Sequence, residues 1–258
     1  RYDSRAADLS SSFGFGWRLA WRDLNLVTDL PASGGEVFGS YLPLTEGTRL
    51  FLTLPAGERA GFTFAPEMVR EAGIVWYRPK WIADAGVAWQ LDSVDSKLSR
   101  AGDRFYALED SQPYNPTGAS PDRAQYTLTS PDSTRYEINA ARGVTAIVYA
   151  DGVRLAVTDS GVFAATGESI RFVLDNGGRI GAAIASDGRV FTYEYDGGEL
   201  VSVRDLSAAR SVRYAYDTDS AHHLTLAAGK ATGETVRYGA TTNVFALAGD
   251  LGPALRYL

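Results

Sequence analysis

Apolar and polar positions alternate in one segment of the second half of the chain, so that Phe191, Tyr193 and Tyr195 share one face. A period of two residues is typical of a β-strand with one buried face. Asp-Gly-Gly follows at 196–198, and glycine there accepts the positive φ that a tight turn requires. The apolar run at 200–203 then begins a return strand, so the pattern predicts a β-hairpin.

The same pattern recurs along the chain. The Tyr-x-Tyr-Asp sequence at 193–196 returns 21 residues later at 214–217, and a weaker copy lies 21 residues earlier. With two outer copies, the aromatic column holds Val148, Phe172, Tyr193, Tyr214 and Tyr238. The turn column holds Asp151, Asp175, Asp196, Asp217 and Thr241. Such a period predicts stacked copies of one hairpin that cannot bury its aromatic face alone.

The first half is less regular but also predicts strands. Hairpins are expected from residues 49–54 with 61–64, and from residues 125–129 with 134–138. The proline-containing stretch 110–122 predicts a loop, and residues 67–72 predict a short helical turn. The chain is therefore expected to be all-β, an extended antiparallel sheet of stacked β-hairpins. We divide it near residue 140, into an irregular lead-in at 1–140 and hairpin repeats at 141–258.

Composition narrows the classes of function. Of the 258 residues, 45% are hydrophobic and 22% charged, which is typical of a folded protein. The net charge of −6, without any concentrated Lys/Arg run, argues against a nucleic-acid partner. The sequence contains no apolar run long enough for a membrane span. The absence of cysteine excludes disulfides, thiolate catalysis and cysteine-ligated zinc, but leaves the compartment open.

Several segments together resemble a known family. The Tyr-x-Tyr-Asp repeats resemble the YD repeat of bacterial Rhs proteins, the C component of Tc toxins, and teneurins. Residues 11–19, which contain Phe-Gly-Phe-Gly-Trp at 13–17, resemble the entry motif that precedes Rhs shells. Residues 47–66 resemble segments that follow this entry motif, and residues 216–224 resemble a variant repeat. The resemblance covers nearly the whole chain.

The resemblance implies an antiparallel sheet that spirals into a hollow shell, of which about five repeats would form only a part. It implies a non-catalytic structural or interaction module of a large secreted or cell-surface bacterial protein, associated with toxin delivery or adhesion. The implied partners are the rest of the parent polypeptide and, with it, glycans or other surface proteins. The chain begins at Arg1 and its sole methionine is Met68, so we expect a segment of a longer polypeptide.

The alternative function is carbohydrate binding. Trp76, Tyr77, Trp81 and Trp89 form the densest aromatic group, interleaved with charged residues. Exposed indole rings could stack on sugar rings, whereas the competing interpretation assigns these rings to the core. The repeat residues Tyr193, Tyr195, Tyr214, Tyr216 and Tyr238 are interpreted as a structural ladder, and Asp196 and Asp217 as turn residues.

Catalytic and metal-binding motifs are weak. His222 and His223 are the only histidines, and adjacent strand residues face opposite ways, which disfavours joint chelation. The acidic segments 217–220 and 92–95 leave a weak surface Ca²⁺ site as the one cofactor hypothesis. The sequence has no nucleophile elbow, zinc helix or phosphate loop, so we predict no enzyme, with a carboxylate-pair hydrolase as the remaining alternative. Glycines alternating with aromatics at 13–17 predict close backbone packing, with Phe and Trp filling the gaps.

Overall fold

The computed structural model describes residues 1–118, 123–217 and 222–229, together with the backbone of two short strands at 235–237 and 244–245. Within these residues the regular structure consists of β-strands and three short 3-10 helices, and every strand pair is antiparallel. The predicted all-β fold of stacked antiparallel hairpins is therefore confirmed. The repeat positions Tyr238 and Thr241 lie outside the described residues, as does part of the predicted proline-containing loop.

The strands in chain order are β1 (Tyr2–Asp3), β2 (Ser10–Ser11), β3 (Gly14–Phe15), β4 (Val27–Thr28), β5 (Arg49–Thr53), β6 (Arg59–Phe64), β7 (Glu67–Glu71), β8 (Ile74–Arg78), β9 (Trp81–Ala83), β10 (Gln90–Ser93), β11 (Leu98–Ala101), β12 (Arg104–Ala107), β13 (Tyr126–Thr129), β14 (Arg135–Asn139), β15 (Gly143–Val148), β16 (Arg154–Thr158), β17 (Gly161–Ala164), β18 (Ser169–Leu174), β19 (Ile180–Ala185), β20 (Val190–Asp196), β21 (Glu199–Asp205), β22 (Arg210–Tyr216), β23 (Leu224–Gly229), β24 (Thr235–Arg237) and β25 (Val244–Phe245). The 3-10 helices are Ser4–Ala6, Glu36–Phe38 and Pro116–Gly118.

The backbone packs as two compact units. One contains Arg1–Ala20 and Leu155–Leu258, and the other contains Trp21–Arg154. This division differs from the boundary expected near residue 140. The first twenty residues pack with the repeats rather than with the rest of the lead-in, because their aromatic side chains are buried against the repeat tyrosines.

In the unit that carries the repeats, consecutive strands from β16 to β24 pair in chain order. The hairpin predicted around residues 196–198 is present: β20 and β21 are joined by Gly197 and Gly198, at φ of +54° and +97°. Two successive positive φ angles give the turn that matches the twist of paired strands. Phe191 and Tyr193 of β20 are buried while Glu194 and Asp196 are exposed, as the alternation predicts.

The other unit contains short sheets with an aromatic core. The two predicted hairpins are confirmed as β5 with β6 and β13 with β14. The helical turn predicted at 67–72 is wrong, because these residues form β7 and pair with β8. Glutamate, methionine and arginine favour helix. The neighbouring strand β8, however, is rich in β-branched and aromatic residues, and its backbone pairs with residues 67–71 in a β-ladder. Ala72 and Gly73, at φ of +48° and +82°, close the turn between the two strands.

The packing of this core gives a test of its stability. Phe64 is fully buried, and its ring lies 5.2 Å from Trp81, 5.6 Å from Phe105 and 6.0 Å from Tyr114, centroid to centroid. We expect Phe64→Ala to lower the free energy of unfolding by about 3–5 kcal/mol, measured by chemical denaturation. Met68→Ala, at a half-exposed strand position, should change it by less than about 0.5 kcal/mol. Equal losses in both variants would contradict this assignment of the core.

Candidate functional site: an N-terminal plug on the repeat hairpins

Residues 1–18 pack on the aromatic face of the repeats, and we call this segment the plug. Phe13 and Trp17 of the plug are buried completely or almost completely. The Phe13 ring lies 4.9 Å from that of Tyr193, and the Trp17 ring lies 4.9 Å from that of Tyr214. The first tyrosine of two successive repeats therefore carries one aromatic side chain of the plug, in the tilted geometry that ring quadrupoles favour.

Glycine lets the plug backbone reach the hairpin turn. The N–H of Phe15 donates to the carbonyl oxygen of Gly198 at 3.2 Å. A Cβ added to Gly14, whose φ is +85°, would lie 2.2 Å from that same oxygen, and one added to Gly16 would lie 2.5 Å from the ring of Tyr2. The close backbone packing predicted from the alternating glycines is therefore confirmed.

The first of the three return strands that the plug contacts is β19, and the plug provides a hydrogen-bond partner to its first residue. The N–H of Ile180 donates to the carbonyl of Ser12 at 2.8 Å, and the carbonyl of Ile180 accepts from the hydroxyl of Tyr195 at 2.7 Å. Ladder pairing between β19 and β20 ends at Ala182 and Thr192, where the two strands separate. Polar backbone groups exposed by that separation need partners, and the plug and the second repeat tyrosine supply them.

The same contact recurs one hairpin later. The hydroxyl of Tyr216 donates to the carbonyl of Leu200, in return strand β21, at 2.8 Å. Tyr216 and Leu200 occupy the positions that Tyr195 and Ile180 occupy in the preceding repeat. The indole N–H of Trp17 donates to the Tyr216 hydroxyl at 2.6 Å. The plug is thereby tied to β21 through the Tyr216 hydroxyl, in addition to the backbone bond from Phe15 to the turn before it.

At the third return strand, β23, the plug supplies the tyrosine itself. The hydroxyl of Tyr2 donates to the carbonyl of His222 at 2.8 Å and accepts from the N–H of Leu224 at 2.9 Å. The ring of Phe15 stacks on the imidazole of His222, with centroids 3.9 Å apart and planes within 3°. One short segment thus joins the beginnings of three successive return strands.

Burial changes the ionisation of the repeat tyrosines. Removal from water raises the pKa of Tyr193, Tyr195 and Tyr216 well above the usual tyrosine range, since it disfavours the phenolate. The hydrogen bond from Trp17 opposes this effect at Tyr216 but does not cancel it. All three phenols are therefore kept neutral, and those of Tyr195 and Tyr216 act as hydrogen-bond donors.

The repeat aspartates fall at hairpin ends. Asp175 accepts backbone hydrogen bonds from Gly177 at 2.8 Å and Arg179 at 2.9 Å, which is the turn role expected for this column. Asp196 is exposed at the end of β20. Asp217 accepts from the backbone N–H of His223 at 3.2 Å.

The two histidines contact different carboxylates. Nδ1 of His222 lies 3.0 Å from Glu199, and Nδ1 of His223 lies 3.3 Å from Asp217. Within the part of the chain that the structure describes, no group of three or more histidine or carboxylate side chains converges as a metal site would. Residues 218–220 of the acidic segment considered for Ca²⁺ lie outside the described residues.

The four aromatic residues considered for glycan binding have separate surroundings. Trp81 is buried beside Phe64, and its indole N–H donates to Ser93 at 2.9 Å. Trp76 is also buried, with the ammonium of Lys97 4.9 Å from its ring centroid. Tyr77 packs edge-on against Phe105, and Trp89 is tilted against Tyr136. Trp76 and Trp81 therefore offer no open ring face on which a sugar could stack.

No protein-family model matches the chain, and no curated protein matches its sequence. Within the described residues, the structure has no helix with the length and apolar character needed to cross a bilayer.

Two glycines of similar backbone conformation test the close approach of the plug. Gly14→Ala would place a Cβ against the carbonyl oxygen of Gly198, whereas Gly178, at φ of +78°, has open space around its Cβ direction. Both substitutions carry the cost of a left-handed alanine, about 1–2 kcal/mol. We expect Gly14→Ala to lower the free energy of unfolding by at least about 2 kcal/mol more than Gly178→Ala, measured by urea denaturation. Similar losses in both variants would contradict the contact.

The raised tyrosine pKa values predict loss of stability at alkaline pH. The folded state holds the phenols neutral. Their contribution to the free energy of unfolding is therefore complete below the unfolded tyrosine pKa of about 10, and it is lost as pH rises toward the pKa values of the folded state. We expect the urea midpoint to fall steadily above pH 10, and ultraviolet absorbance to show a class of tyrosines that ionise only on unfolding. Simultaneous ionisation of all tyrosines near pH 10 without unfolding would contradict burial of these groups.

Proposed function

We propose that this chain is a non-catalytic structural and interaction module of a large secreted or cell-surface protein of the Rhs/YD-repeat type, in which it forms part of the wall of a β shell. The observation that carries the proposal is the plug, which joins three successive hairpins through Ser12, Tyr2 and the Trp17–Tyr216 pair. An entry segment that fastens successive repeats together suits a repeat array.

The repeated tyrosine contact supports extension by addition of equivalent hairpins. Tyr195 to Ile180 and Tyr216 to Leu200 are the same bond at matched positions, at 2.7 and 2.8 Å. In a further repeat with the Tyr-x-Tyr-Asp sequence, the hydroxyl of the second tyrosine would donate to a carbonyl of the preceding return strand. The sheet can therefore lengthen without any new kind of contact, which is the property that a wall requires.

The two faces of the repeat sheet support different roles. One face is closed by the plug, whereas the other presents charged pairs such as Arg204 with Glu194, 3.0 Å apart. Val173, an exposed apolar side chain on β18, lies on the same face as these charges. We assign the closed face to the shell structure and the charged face to contacts with the rest of the parent polypeptide or with other surface molecules.

A structure of the parent polypeptide by electron cryo-microscopy tests the architectural part of the proposal. We expect the strands that follow β24 to pair in chain order and to extend the same sheet as further hairpins. Where a later repeat has the Tyr-x-Tyr-Asp sequence, its second tyrosine should donate to a carbonyl at the beginning of the preceding return strand, as Tyr195 and Tyr216 do. A sheet that ends at β24 and is followed by an independent domain would contradict a role in a shell wall.

The location is tested in the source bacterium. We expect an antibody against this chain to label intact cells or to detect the protein in the culture fluid, and external protease to remove the surface signal. A cytoplasmic protein, detected in parallel, is the control for lysis. Detection in the cytoplasmic fraction alone would contradict the secreted or surface assignment.

A further inference from the structure

A second site lies on β21 and β22, on the face of the repeat sheet that points away from the plug. Ser202 lies opposite Arg213 in the ladder, and Arg204 lies opposite Ser211. Since neighbouring strand residues face opposite ways, Arg213 lies on the other face from Tyr214, which carries the plug. These residues line a shallow pocket of about 760 Å³.

The pocket concentrates positive charge in a protein of net charge −6. Arg204, Arg210 and Arg213 all line it, and Arg204 is paired with Glu194. Among the described residues, no carboxylate lies within salt-bridge distance of Arg210 or Arg213. The one acidic residue in the lining, Asp205, accepts two hydrogen bonds from backbone amides of the following turn. Within the described part of the chain, Arg213 therefore lies without a carboxylate partner on the face away from the plug, and Arg210, opposite Asp205 in the ladder, lines the pocket from the end of β22.

A buried hydroxyl in the same pocket provides an independent indication of a ligand. Ser202 is only 5% exposed, and its Oγ is buried without a hydrogen-bond partner among the described residues. A hydroxyl removed from water without a partner destabilises the folded state, so most are paired. Ser202 lines the pocket next to Arg213, where an oxygen atom of a bound group would satisfy it.

We propose that this pocket binds a tetrahedral oxyanion group, a sulfate or phosphate ester carried by a partner molecule. Arg213 supplies charge-assisted hydrogen bonds, Arg210 adds positive charge from the end of β22, and the Ser202 hydroxyl donates to a further oxygen. Guanidinium groups match the oxygen spacing of such anions. This site does not depend on the shell assignment, since Ser202 and Arg213 lie on the face without the plug.

Calorimetric titration of the full chain with inorganic sulfate and with inorganic phosphate tests the site, with sodium chloride used to hold the ionic strength constant. We expect saturable binding of one anion per chain. Tighter binding of sulfate would assign a sulfate ester, and tighter binding of phosphate a phosphate ester. Arg213→Gln should weaken binding about tenfold, as loss of one hydrogen bond to a charged group predicts, and Arg210→Gln should weaken it less.

Arg171→Gln is the matched control, because Arg171 is an exposed strand arginine outside the pocket. It should bind sulfate and phosphate as the unaltered chain does. Absence of saturable binding for both anions, or equal weakening by Arg171→Gln and Arg213→Gln, would overturn the proposal.

Ser202→Ala separates binding from folding. Because the hydroxyl has no partner among the described residues, its removal should leave the melting temperature without anion unchanged or higher. The same change should weaken anion binding about tenfold, since the alanine cannot donate to the ligand. A lower melting temperature with unchanged anion affinity would show that Ser202 serves the fold and would overturn its place in the site.

Discussion

The stability of the repeat sheet depends on the hydrogen-bond partners that backbone groups find where neighbouring hairpins separate. Ladder pairing between β19 and β20 stops before β20 ends, and a buried amide left there without a partner would cost stability. Ile180 finds both partners outside the ladder, in Ser12 and in the hydroxyl of Tyr195. Leu200 and Leu224 find theirs in Tyr216 and Tyr2. The plug is therefore part of the hydrogen-bonding of the sheet as well as a cover for its aromatic face.

This arrangement explains why the repeat contains two tyrosines with different structural roles. The first, Tyr193 or Tyr214, gives its ring to an aromatic residue of the plug. The second, Tyr195 or Tyr216, gives its hydroxyl to a carbonyl of the previous return strand. Burial raises the pKa of both phenols, so that they remain neutral donors at alkaline pH as well. The aromatic face therefore has a structural role. We assign recognition to the opposite face, where Arg213 and Ser202 lie.

The hairpins could be predicted from the sequence, because alternation and glycine turns are local signals, as around Gly197. The close approach at Gly14 was also predictable, since small and bulky residues alternate there. The strands against which that segment packs could not be predicted, because periodicity does not specify which distant strand an aromatic residue covers. β7 was missed because its composition favours helix. The sequence left Trp76 and Trp81 between a sugar-binding surface and the core, because burial depends on tertiary neighbours. The anion pocket gives no linear signal, since Ser202 and Arg213 meet only through the ladder.

Amide hydrogen exchange followed by nuclear magnetic resonance tests the central claim most directly. If the plug belongs to the hydrogen-bonded sheet, the amides of Phe15, Ile180 and Leu224 should exchange as slowly as ladder amides of β20 and β21, through the same global opening. Rapid exchange at these three amides, on the order of a hundredfold or more above protected ladder amides, would show that the plug opens independently. That result would contradict the account.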